Sequence, residues 1–87
     1  MNEQEFRQHV ADWMAAHLAG RFACLKHRGG PGDEEAYPAL RKEWEQELAR
    51  GGWVGLGWPK EHGGRDLPLS LQLAFHEEYV RAGGPGR

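Results

Sequence analysis

The chain has 87 residues, which is one small domain at most, with a radius of gyration of about 12 Å and marginal stability if it stands alone. A net charge of −2 and a pI near 6.2 leave no basic footprint for nucleic acid, and no run approaches the roughly 20 apolar residues of a membrane span. The single cysteine, Cys24, rules out an internal disulfide and the opening MNEQEFRQHV has no apolar signal core, so the expected setting is a reducing cytoplasm.

Leu, Val and Phe together number only 15 and Ile is absent, a level that raises the question of disorder. The small net charge argues against it, and four tryptophans supply large burial in place of the missing aliphatics. Thr is also absent and Val occurs three times, whereas Ala, Leu, Glu, Gln and Arg abound. Strands favour β-branched residues and helices favour the others, so the chain reads as all-α, with three main helices joined by Gly/Pro-rich loops.

The first predicted helix covers about Glu3 to Ala19. Phe6, Val10, Trp13, Met14, His17 and Leu18 fall on one arc, with Glu3, Glu5, Arg7, Gln8 and Asp12 on the other. Gly20 interrupts, and a short continuation through Phe22 and Leu25 is expected. HRGGPGDE, His27 to Glu34, is a loop in which Asp33 is a candidate helix cap. The second helix is expected to start at Pro38, with Tyr37, Leu40, Trp44 and Leu48 as a narrow apolar stripe. Arg50 suits the negative end of that helix and Gly51-Gly52 ends it.

GGWVGLGWPKEHGG, Gly51 to Gly64, then raises a choice between phosphate cradle and packing loop. A phosphate loop needs Lys followed by Ser or Thr, but Glu61 follows Lys60. A dinucleotide fingerprint needs a third glycine where Lys60 stands and a preceding strand. The packing reading is preferred: Trp53, Val54, Leu56 and Trp58 bury themselves while glycines give the backbone its freedom. Ser70 is the expected N-cap of a third helix, Leu71 to Ala82. That helix is apolar on two sides: Leu71, Phe75, Tyr79 and Ala82 line one, and Leu69, Leu73, His76 and Val80 line nearly the opposite one. Two companion helices can cover only one of them, so the residues read as an incomplete structural unit, and the isolated chain is expected to be partly molten or self-associated. GGPG recurs at Gly29–Gly32 and Gly83–Gly86 and reads as two loops sharing turn chemistry.

No catalytic constellation emerges. Glu5, His9 and Asp12 share a helix side, which solvated polar residues do by chance. His17 sits within an apolar stripe as a partly buried packing residue with one hydrogen bond, and His76 is ambiguous. Glu77 and Glu78 are adjacent and point about 100° apart, so they do not converge as an acid/base pair. Ser70, the lone serine, is assigned to capping and Cys24 to inert packing.

ELARGGWVGLGWPKEHGGRDLPLSLQLAFHEEYVRAG, Glu47 to Gly83, resembles the N-terminal helical domain of acyl-CoA dehydrogenases. The matching features are a helix ending in glycine (Gly52), an apolar loop (Gly55), Pro59-x-Glu61-x-Gly63-Gly64, and a helix carrying Glu77-Glu78 with Arg81-Ala82. FRQHVADWMAAHL also fits the family's opening helix, and the resemblance covers nearly the whole chain. Asp66 departs from the family's frequent glycine, although Asp tolerates unusual backbone angles. The resemblance implies an FAD-dependent oxidoreductase that places an α,β double bond in acyl-CoA thioesters and passes electrons to an electron-transfer flavoprotein. It implies that residues 1–87 are a partial N-terminal domain, with flavin contacts and the catalytic glutamate in other domains. No catalytic, cofactor-binding or metal residue is therefore carried onto this chain, and FAD is not expected to bind it alone. The rival reading is a non-catalytic helical interaction module, or a remnant subunit docking onto a flavin-carrying partner chain.

Overall fold

A computed structural model describes residues 2–86, and they are all-helical, with no strand among the described residues. Helix α1 runs Glu3–His17, α2 Pro38–Arg50 and α3 Leu69–Arg81, with short 3₁₀ segments at Gly20–Leu25 and Lys60–His62. The Cα radius of gyration is 13.0 Å.

Asn2 starts α1 by accepting the Glu5 amide at 2.8 Å, with Glu3 and Glu5 in the first turn where the helix dipole favours anions. The helix stops two residues before the expected Ala19. Leu18 leaves helical angles, although its amide still bonds the Met14 carbonyl at 2.8 Å, and Gly20 then takes φ +57. The chain turns into the 3₁₀ segment that seats Phe22 and Leu25 in the core. Pro38 opens α2 as expected, but Tyr37 before it is left-handed at φ 46 and half exposed, so it drops out of the apolar stripe. Trp44 and Leu48 are buried, with Leu40 partly so.

Ser70 does not cap α3. Pro68, extended at φ −65 and ψ 158, offers its carbonyl to the amides of Leu71 and Gln72, so the helix begins at Leu69 and Ser70 lies exposed inside its first turn. Asp33 likewise caps no helix. It holds its own loop, accepting from the Arg28 guanidinium (Nε at 2.8 Å) and from the Gly29 amide (2.9 Å). Those two partners, the guanidinium first, lower its carboxyl from 3.8 to about 2. A depressed carboxylate stabilises the fold above its unfolded value and loses that contribution as pH falls through the folded value. Acid melts read by circular dichroism should therefore show a loss setting in below about pH 4 and running to about pH 2, with a shallower limb in Asp33→Asn. Identical acid limbs in the two proteins would contradict this role.

α1 packs against α3, and α2 against the first 3₁₀ segment. Phe6, Val10, Met14 and Leu18 meet Ala74, Phe75 and Tyr79, with Trp44, Leu48 and Trp53 completing the core. The two GGPG loops lie side by side: the Gly86 amide bonds the Arg28 carbonyl at 2.8 Å and the His27 amide bonds the Gly83 carbonyl at 2.9 Å. A Cβ on Gly86 would overlap the Gly29 carbonyl, so only glycine permits this approach.

Candidate functional site

The glycine-rich loop is tied back on itself by backbone hydrogen bonds. The Trp53 amide donates back to Leu48, Trp58 to Gly55, Gly63 to Lys60, Gly64 to Pro59, Asp66 to Trp58 and Leu67 to Leu56, all between 2.8 and 3.1 Å. Phosphate cradles work by aiming free amides at an anion, and these six point at carbonyls within the loop or at the end of α2. Lys60, on the exposed 3₁₀ turn, contributes no ring of donors around it. Asp66 takes φ 52, the unusual conformation its residue type tolerates.

Burial within the loop is uneven. Trp53 is 1 % exposed and Leu56 is buried, but Trp58 is 58 % exposed, which corrects the expectation that it folds inward. The physical reason lies in the backbone: Gly55 and Gly64 press against the Trp58 indole and its carbonyl, where a Cβ would overlap them, so the ring lies over the loop instead of entering the core. Trp58 forms one wall of an open groove of about 360 Å³, with Gln72, Phe75 and His76 of α3 opposite. Gln72 spends its amide on the Leu67 carbonyl at 3.0 Å, joining loop to helix. His76 is exposed beside this groove.

The second feature is ionic. Arg7 of α1 reaches Glu77 (Nη2 to Oε1, 2.5 Å) and Glu78 (Nη1 to Oε2, 2.9 Å), with Glu3 on its Nε at 3.1 Å. Adjacent glutamates do point apart, yet a forked guanidinium spans both, a convergence that helical geometry alone did not suggest. Glu78 is nearly buried and also receives Arg81 Nη1 at 3.2 Å. Arg7, through its hydrogen bond, lowers the Glu77 carboxyl and favours its ionised form. A buried carboxylate needs such partners, and the arrangement clamps α1 to α3.

The remaining weighed residues are dispersed. Glu5 is tied to Asn2, Asp12 to Gln8, and His9 lies with its ring 5.5 Å from that of Trp53. Among the described residues no group of His, Cys, Asp and Glu is placed to hold a metal. His17 stacks on Trp13 at 4.1 Å and bonds Glu47 at 2.9 Å, the packing role expected of it. That bond, followed by the Arg50 pair, lowers the Glu47 carboxyl. Cys24 is exposed, not packed, because the 3₁₀ segment turns Phe22 and Leu25 inward and leaves residues 23 and 24 outside. Among the described residues no helix is long and apolar enough to cross a membrane.

Comparison with known proteins matches residues 1–87 to the model of the acyl-CoA dehydrogenase N-terminal domain. The chain is 50% identical over 84 residues to the acyl-CoA dehydrogenase IpdE1 of Mycobacterium tuberculosis, covering 97% of this chain and 22% of that protein. The same name in Mycolicibacterium smegmatis gives 50% identity over 84 residues and 21% of the protein. The acyl-CoA dehydrogenase FadE26 of Mycobacterium tuberculosis gives 30% over 82 residues, covering 94% of this chain and 19% of that protein. The chain thus spans about a fifth of the length of the curated relatives it matches. No solved structure matches it significantly.

Proposed function

Since the chain belongs to the acyl-CoA dehydrogenase family, we propose that it is the helical N-terminal portion of an FAD-dependent enzyme that dehydrogenates acyl-CoA thioesters between their α and β carbons. The observation that carries the reading is the family match over the whole chain, joined to a loop-and-helix unit built for packing. FAD would supply the hydride-accepting chemistry in the complete enzyme. The described residues do not fit that group themselves: the amides of Trp53, Trp58, Gly63 and Gly64 are spent on the loop's own carbonyls or the end of α2, and the groove has no Lys or Arg in its walls to meet a pyrophosphate. No step through the flavin is derived from this chain. Its contribution is a rigid helical wall, clamped by Arg7 to Glu77 and Glu78 and by the aromatic packing around Trp53.

The test replaces the matching 84 residues of the Mycobacterium tuberculosis IpdE1 protein with this chain. The expected result is a chimera that takes up flavin and oxidises an acyl-CoA, whereas the purified 87-residue chain carries no flavin absorbance. Stoichiometric flavin on the isolated chain would overturn the division of labour. Recovery of the native chain with a separate flavoprotein subunit would favour the docking-module reading.

A further inference from the structure

A second hollow lies between α1 and the end of α3, apart from the groove beside Trp58. Ala11, Met14, Ala15 and Leu18 recur at helical spacing and line its α1 side. The two alanines are short, and a space of about 300 Å³ remains beside them. Met14 and Leu18 are 1 and 2 % exposed, which makes the base of the hollow apolar, and Ala82 lines the α3 side.

Its polar groups are Lys26, Arg81 and Glu78. Lys26 and Arg81 are exposed, and Lys26 makes no ion pair among the described residues. Arg81 gives Nη1 to Glu78 at 3.2 Å and has further N–H donors to spare. Glu78 also accepts from Arg7 at 2.9 Å, so its charge is already balanced from the α1 side. Leu18 and Ala82 are the C-terminal caps of α1 and α3, and each helix end carries roughly half a negative charge. Two full cations outweigh two half charges, which leaves an excess of about one positive charge over an apolar base.

We propose that this hollow binds a small amphipathic acid, an alkyl monocarboxylate whose chain lies on Met14 and Leu18 and whose head meets Lys26 and Arg81. The inference does not rest on the function proposed above. The chemistry of the rim selects the class. A guanidinium offers a carboxylate forked donors, and an ammonium adds a point charge. An alcohol of the same length buries the same chain without meeting the cations, and an amine is repelled by them. A closed aliphatic cavity of about 150 Å³ admits benzene, so roughly twice that volume leaves room for a chain of about six to eight carbons.

The experiment titrates octanoate into the 87-residue chain and follows the NMR signals of each residue. Saturable shifts should gather at Ala11, Ala15, Lys26 and Arg81. Octanol and octylamine should bind about fivefold more weakly or worse, the scale of one exposed ion pair. Lys26→Met/Arg81→Gln should weaken octanoate about fivefold and leave octanol unchanged. Both side chains are exposed, so melting should move by less than about 2 °C. Lys26→Met alone serves if the double variant loses its fold, and it should still weaken octanoate selectively. Ala15→Leu fills the hollow and should abolish binding of octanoate and octanol alike. Equal affinity for acid, alcohol and amine, or octanoate binding that ignores the cation variants, overturns the proposed recognition. Absence of saturable shifts, or shifts centred on the Trp58 groove, overturns the site.

Discussion

Replacing Trp53 with alanine is expected to cost about 3–5 kcal/mol, a large share of the isolated chain's stability. Trp53 is 1 % exposed and is the hub of the aromatic core. Its ring stacks on Phe75 at 5.3 Å, meets the edges of Phe6 and Trp13 at 6.0 and 5.9 Å, and is covered by the Arg65 guanidinium at 5.0 Å. Its indole nitrogen is buried without a hydrogen-bond partner among the described residues, which costs about 1–3 kcal/mol. The ring is retained there because its packing outweighs that penalty. A domain of this size has a total stability on the order of 4–13 kcal/mol, so the loss removes much of it. Trp58→Ala is the matched control, since Trp58 is 58 % exposed and its truncation should change stability by less than about 1 kcal/mol. Urea melts of the two variants make the comparison; equal losses would refute the assignment of Trp53 to the core and Trp58 to the surface.

Tyr79→Phe is the second large effect, expected at about 2–3 kcal/mol although it removes a single oxygen. The Tyr79 hydroxyl is a relay in a buried site. It accepts from Trp44 Nε1 at 3.0 Å and donates to the Pro85 carbonyl at 2.6 Å, with all three residues buried. Phenylalanine strands a donor and an acceptor together, and leaving buried polar groups unmade costs more than making them gains. A loss of this size lowers melting by about 10 °C or more in a chain of this length. Trp44→Phe and the double variant complete a cycle in which the two losses should not add, because they share one hydrogen bond. Additive losses, or a Tyr79→Phe change below about 0.5 kcal/mol, would show that water already reaches the hydroxyl.

What was legible in the sequence was whatever depends on helical period. Phe6, Val10, Met14 and Leu18 were placed on the buried side of α1 by spacing alone, and all four are buried. The bare face of α3 was legible for the same reason, since Leu69, Leu73 and Val80 sit opposite Phe75 and Tyr79. Residues whose fate depends on tertiary backbone were not legible. Trp58 has the composition of a core residue, and only the close approach of Gly55 and Gly64 turns it outward. Ser70 has the chemistry of a cap, yet Pro68 sets the extended entry and starts the helix first. Arg7 reads as a solvated residue of α1 until the crossing with α3 brings Glu77 and Glu78, 70 and 71 positions away, within its fork. The family resemblance drew on ordered glycines, a proline and acidic residues, and a match over residues 1–87 supports it.

The abutting GGPG loops have a consequence for the moment of folding. The Arg28 carbonyl waits for the amide of Gly86, and the His27 amide for the carbonyl of Gly83, so the early part of the chain is latched by its last described residues. Closing so long a span is entropically costly before native contacts repay it. A nascent chain leaving the ribosome should therefore stay unlocked through α2, and acquire resistance to proteases in one late step once the second glycine loop has emerged.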